Sequence, residues 1–172
     1  VSVCAYLTII VFEPHSIYSM RLAKSGELIT HHKDKAVLTL MNMESIIETD
    51  FLKVQPDMDL GDMVKVISKS SRNLFPVTEP TGELIGIVSL DHIRKIMFRQ
   101  ELYHRFTVER FMESPKACII NTDSMETVME KFDKTGSWNL PVVDSENKYM
   151  GFVSKSKMLN TYRQVMVDLS AE

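Results

Sequence analysis

The side chains able to do chemistry in this chain are few, and their spacing says which chemistry is open to them. His31 and His32 are adjacent, so on a helix or a strand they point in different directions, and no third ligand stands at a usual spacing; no metal site is expected. Cys4 and Cys118 lie far apart in apolar runs without a CxxC pair, and read as small buried hydrophobes in a reducing compartment. No Ser/His/Asp or Cys/His arrangement, paired-carboxylate motif or phosphate-cradling glycine loop appears, and Glu27, Asp34, Glu44 and Glu48 read as solvated charges. Catalysis is therefore not expected. What remains are scattered polar side chains whose roles depend on the scaffold that places them.

These groups need a scaffold. With 172 residues, 44% of them hydrophobic, the chain can bury the core of one compact domain or of two small ones sharing an interface. A net charge of -3, with acids and bases interspersed, leaves no basic field and argues against a nucleic-acid partner. The twelve methionines are expected to fill irregular gaps in the core. Val1 to Phe12 is an uncharged apolar run, shorter than the ~20 residues that span a bilayer, and it lacks the basic start and cleavage site of a signal peptide. It reads as the tail of a membrane segment whose upstream part is missing. A helix is expected after Pro14, over Ser16 to Leu28; Arg21, Lys24, Lys33 and Lys35 then form the basic excess of a cytoplasmic flank.

The rest of the chain repeats. Residues 44 to 97 align without gaps on 109 to 162 at a shift of 65: Pro76-Val77 falls on Pro141-Val142, and Gly86-Ile87-Val88-Ser89 on Gly151-Phe152-Val153-Ser154. Apolar character is kept at Ile46/Phe111, Leu60/Met125, Met63/Val128 and Ile67/Phe132. Each copy predicts a short strand (Leu52 to Val54; Ala117 to Ile120), then an amphipathic helix with Asp59 or Ser124 as N-cap. A hairpin (Leu74 to Val77 with Leu84 to Val88; Leu140 to Val143 with Tyr149 to Val153) and a second helix follow, about Leu90 to Phe98 and Ser156 to Tyr162.

The segments LFPVTEPTGELIGIVSLDHIRKIM and NLPVVDSENKYMGFVSKSKMLNTY resemble the second half of the CBS domain: an apolar-Pro-Val strand, a polar turn, apolar-Gly-apolar-Val-Ser/Thr, then a helix. The resemblance covers both repeats and implies an α+β fold, a tandem CBS pair of two β-α-β-β-α repeats packed with pseudo-twofold symmetry around two clefts. Many CBS pairs bind adenosine nucleotides there, so AMP, ADP or ATP is the implied ligand. In the family pattern the hydroxyl contacts phosphate and an Asp three residues on takes the ribose hydroxyls. Ser89 and Ser154 match the hydroxyl. His92 and Lys157 stand where the Asp would be, and Asp91 lies one position early, a rotation of about 100° on a helix. The cleft candidates are thus Ser89, Asp91, His92, Ser154 and Lys157, without the family's ribose carboxylate; the other reading of His92 and Lys157 is exposed polar residues on a surface helix. Trp138 is expected to pack between the modules rather than stack on a base.

FEPHSIYSMRLAKSGELI resembles the last membrane helix of ClC chloride channels and transporters, where a tyrosine shortly after a proline lies at the inner end of the anion pathway. Tyr18 takes that position, which implies that it coordinates chloride, the transported ion. The order of parts becomes residues 1–28, the end of the transmembrane region; 29–43, a linker; 44–98, CBS domain 1; 99–108, an inter-repeat linker; 109–164, CBS domain 2; and 165–172, a tail. The implied partners are the membrane domain of the same polypeptide and a second subunit in a homodimer, at the cell membrane with this region on the cytoplasmic side. The expected function is regulation of anion transport or dimer assembly; the alternative is a soluble or other-transporter-linked CBS nucleotide sensor.

Overall fold

The computed structural model describes residues 37–170, with side chains to 168. The expectations placed on residues 1–36, including the membrane segment, His31, His32 and Tyr18, lie outside the described residues.

The two amphipathic helices form as their patterns dictate. α2 (Leu60–Lys69; α1, Met43–Ile46, precedes it) starts where the Asp59 carboxylate accepts the Asp62 N–H at 2.8 Å, and it buries Leu60 and Met63. Its counterpart α4 (Met125–Thr135) is capped by Ser124, buries Met125, Val128 and Phe132, and stops at Gly136, whose φ of 64° is the left-handed end that glycine adopts freely. Between and after them run two hairpins. β1 (Leu74–Thr78) pairs antiparallel with β2 (Leu84–Ser89), and β4 (Asn139–Val143) with β5 (Tyr149–Ser154). Pro76 faces Ile87 and Pro141 faces Phe152, and each ladder shifts register at the residue pair after the proline, so the two hairpins share even their irregularity. Gly82 and Asn147 occupy equivalent turn positions with φ of 90° and 61°; asparagine is among the few side chains that tolerate this region.

Several segments differ from expectation. In the first repeat the leading strand reduces to one parallel bridge from Val54 to Val77, since Pro56 follows closely; in the second it is β3 (Ile119–Ile120), parallel to β4. Lys131 Nζ donates to the Cys118 carbonyl at 2.9 Å, which takes that group out of the ladder. The helix after the first hairpin, α3 (Leu90–Ile93), gives way to turns after one turn of helix. Here residues 99–108 are more than a connection: Leu102 and Tyr103 pack on the first core, and Tyr103 presses on Gly61, where a Cβ would sit 3.0 Å from its ring. The helix after the second hairpin, α5 (Lys155–Ser170), runs well past Tyr162 and takes up most of the expected tail, because Tyr162 and Val165 still find the second core to pack against.

Each repeat's core is completed by residues from the head of the other repeat. Met41, Met43 and Ile46, at the head of repeat 1, are buried with Ile119, Val128, Phe132 and Leu140 of repeat 2. Val108, Phe111 and Met112, at the head of repeat 2, pack with Leu60, Phe75 and Val88 of repeat 1. Phe51, Leu84, Val143, Tyr149 and Phe152 form a third cluster between them. Neither repeat can bury its apolar surface alone, which ties the fold to both copies at once.

Candidate functional site: the clefts between the repeats

The exchanged head segments also build the seam. Glu48 N–H donates to Phe152 O at 2.7 Å and Phe152 N–H to Glu48 O at 2.9 Å; at the other end, Ile87 and Glu113 exchange the same two bonds, both at 2.9 Å. Those pairs are one pair under the 65-residue shift. Near the middle, Leu84 N–H donates to Asn147 O and Tyr149 N–H to Gly82 O, both at 3.0 Å, so Glu83 and Lys148 face each other across the pseudo-twofold axis. Two equivalent regions follow, one holding Ser89 and one holding Ser154.

The first is an open cleft of about 150 Å³. Its polar groups are Ser89, His92, Glu113 and Lys116, with Ser137 and Asn139 from repeat 2; its apolar wall is Leu74, Ile87, Leu140 and Pro141. Ser89 caps α3, its Oγ accepting the Asp91 N–H at 3.4 Å, a long bond that leaves the hydroxyl available. His92 Nε2 lies 3.5 Å from Glu113 Oε1. Asp91 is not among the lining residues; its carboxylate pairs with Arg94 at 3.0 Å on the exposed face of the same turn, as the 100° rotation argument requires. Ser89 and His92 are thus brought together, and Asp91 is not. Sequence reasoning missed Lys116 and Glu113: the family pattern points to the hairpin and its helix, while these residues arrive through the exchanged head segment. The 65-residue pairing of Glu113 with Glu48 was the available signal.

The twin region is built differently. Ser154 Oγ accepts the Lys157 N–H at 3.1 Å, as an N-cap does, and the Lys157 side chain is exposed. Beside them Arg72 donates from Nε and Nη2 to the Asp50 carboxylate and from Nη2 to Glu48 Oε1, each at 2.8 Å, with its guanidinium carbon 4.7 Å from the centre of the Phe51 ring. The Arg72 hydrogen bond holds the Asp50 carboxyl below the usual carboxylate range. Tyr149, in the central cluster, is pushed above the usual phenol range by burial and by the Asp50 charge.

Trp138 does not pack between the modules: 73% of it is exposed, on the surface beside Ser137 and Asn139 of the open cleft. The reason is local. Its carbonyl accepts the Lys155 N–H at 2.8 Å, which fixes the backbone at the hairpin's end, while Asn139 and Leu140 take the inward places. Cys118 is half-buried and its thiol is raised by that burial, an unreactive state. Among the described residues no group of three His, Cys, Asp or Glu side chains is placed to hold a metal, and no helix is long and apolar enough to cross a membrane.

The sequence profile of the CBS domain matches residues 43–99 and again 108–163. The chain belongs to the CBS domain family. It is 31% identical over 110 residues to the uncharacterised protein MJ0188 of Methanocaldococcus jannaschii, covering 63% of this chain and 39% of that protein, so the chain spans well under half of that relative. Among solved structures, the tandem CBS fold is similar to that of CbpB in complex with c-di-AMP, with a TM-score of 0.66 at 13% identity over 81% of this chain and 96% of that one. It is also similar to CBSX2 in complex with AMP, with a TM-score of 0.60 at 18% identity over 73% and 98%. The CBS pair here is therefore a regulatory type of module, with its two repeats in the family's tandem arrangement.

Proposed function

We propose that this CBS pair is the regulatory region of a chloride channel or chloride/proton antiporter, and that it senses an adenine nucleotide in the cleft holding Ser89 and His92. The observation that carries the ligand reading is the composition of that cleft: the polar side chains of Ser89, His92 and Lys116, with the Glu113 carboxylate beside the imidazole, and the apolar ones of Leu74, Leu140 and Pro141. The first set suits phosphate and the second suits a base. That CbpB and CBSX2 were solved with c-di-AMP and AMP supports the choice of nucleotide. No carboxylate at His92 takes the ribose, so selectivity rests on phosphate and base.

At about 150 Å³ the cleft is smaller than the roughly 300 Å³ at which small-molecule pockets begin. A nucleotide enters fully only if the repeats move apart, and that makes binding a mechanical event. Met41, Met43 and Ile46 lie in the second core while the chain continues into the first repeat, so a shift between repeats is felt at these residues. A ligand with different affinity for the two spacings then biases whatever those residues are attached to.

The host reading rests on FEPHSIYSMRLAKSGELI, with Tyr18 as the chloride-coordinating phenol, the membrane domain of the same polypeptide as partner, and a homodimer at the cell membrane with the CBS pairs on the cytoplasmic side. The chain has no enzymatic role in this reading. It is tested on the parent polypeptide in liposomes by chloride efflux. ATP on the CBS side should change the efflux rate several-fold, and Tyr18→Ala should change efflux whether or not ATP is present. Efflux indifferent to nucleotide contradicts the sensing, and a preparation that carries no chloride contradicts the host.

A further inference from the structure

The 65-residue shift makes the two clefts directly comparable, and they differ where it matters. Where the open cleft has Ser137, the twin has Arg72; where it has Pro115 and Lys116, the twin has Asp50 and Phe51. The open cleft therefore presents a free hydroxyl and a free ammonium, while the twin presents a guanidinium already held by two carboxylates and laid on a phenyl ring. Glu48 and Glu113 are equivalent, yet Glu48 is held on both counts: its backbone is bonded to Phe152 across the seam and its side chain to Arg72. Its second oxygen, Oε2, is buried and accepts no hydrogen bond from the protein. A phosphate entering there would meet that buried carboxylate oxygen, and could take the Nε and Nη2 donors of Arg72 only by displacing the carboxylates they hold.

We infer that Arg72 closes the twin cleft from within, so that each chain takes one nucleotide, on the Ser89 side, and the Ser154 side serves as a fixed joint between the repeats. The one-ligand count rests on the nucleotide reading above; the closure itself does not. The closure is a matter of geometry more than of energy. The Asp50 side chain is 57% exposed, so its ion pair contributes little, but the planar fork is committed in one direction and the ring of Phe51 backs it. The pair then works as a hinge: one cleft stays shut while the other opens around its ligand.

The test uses AMP as the probe and amide chemical shifts as the readout, on the wild-type chain and on the double variant Asp50→Asn with Arg72→Ser, which removes the plug and one of its two carboxylates and leaves Glu48 as the counterpart of Glu113. AMP should move the amides of Ser89 to His92 and leave Ser154 to Lys157 unmoved in the wild type; in the double variant both sets should move and the stoichiometry should rise from one to two. Movement at Ser154 to Lys157 in the wild type overturns the closure, and so does a variant in which they stay unmoved. If Ser154 to Lys157 move in the variant while Ser89 to His92 are silent in both proteins, the closure stands and the Ser89 reading falls. Should the double variant not fold, Arg72→Lys, which keeps the charge but not the planar fork, replaces it, and Ser154 to Lys157 should then move with AMP.

Discussion

Ile46→Ala should lower the unfolding free energy by about 2–5 kcal/mol, the cost of emptying a large aliphatic site in a closed core, and much of that loss should appear in the second repeat. Ile46 stands at the head of the first repeat in sequence, yet it is fully buried among Ile119, Val128, Phe132 and Leu140. An alanine leaves a cavity against α4 and β4 that the first repeat has no atoms to fill. Urea unfolding gives the magnitude, and native-state hydrogen exchange gives the place: amides of β4 and β5 should lose at least as much protection as those of β1 and β2. Loss confined to β1 and β2 would mean that the head segments are not exchanged.

The second large effect should come from a single methyl group at the seam. A Cβ built on Gly151 lies 2.6 Å from Ile47 Cγ2 and 2.7 Å from the Glu48 carbonyl oxygen, and that oxygen is itself accepting the Phe152 N–H. Backbone cannot give way there as a flexible side chain would. Gly151→Ala must push the head segment off β5, at about 1–3 kcal/mol for the overlap and about 1 kcal/mol for each of the two hydrogen bonds between Glu48 and Phe152 that is lost. At Gly86, the equivalent position, the nearest atoms are at 3.2 Å and belong to the pliable Met112 side chain, with the Glu113 oxygen at 3.3 Å. Gly86→Ala should therefore cost much less. Denaturant midpoints of the two variants compare them directly, and equal losses would contradict the unequal closeness of the two ends of the seam.

How far the sequence speaks follows from the range of the interactions. The capping residues Asp59 and Ser124, the 3.6-residue pattern of Met125, Val128 and Phe132, and the Pro-Val and Gly-x-Val-Ser hairpins are local signals, and each marks its element where the structure has it. Two copies in one register carried the pseudo-twofold. The exchange of Ile46 and Val108 between cores is not local: the apolar pattern says that these residues are buried, but not in which repeat. The length of α5 was hidden for a similar reason, since Val165 continues the helix only because the second core offers it a surface.

The site was legible by halves. Ser89 and His92 were marked by the motif, while Asp91, also a candidate, is carried out of the cleft by its one-residue offset and pairs with Arg94. Lys116, which lines the cleft, could not be found from the motif because it comes from the head segment of the other repeat. Arg72 was a third kind of omission. Nothing in its neighbourhood of Ser71-Arg72-Asn73 distinguishes it from a solvated charge until Glu48 and Asp50, more than 20 residues back, are seen to face it.

The central claim, that the Ser89 cleft is a nucleotide site, is tested most directly by calorimetric titration of the chain with AMP, ADP and ATP at physiological salt, wild type beside Lys116→Ala. The account expects micromolar binding of at least one of the three at one per chain, weakened about tenfold or more in the variant, since a hydrogen bond to a charged group is worth about 1.5–3 kcal/mol. No heat with any of the three, or equal binding by both proteins, would contradict it.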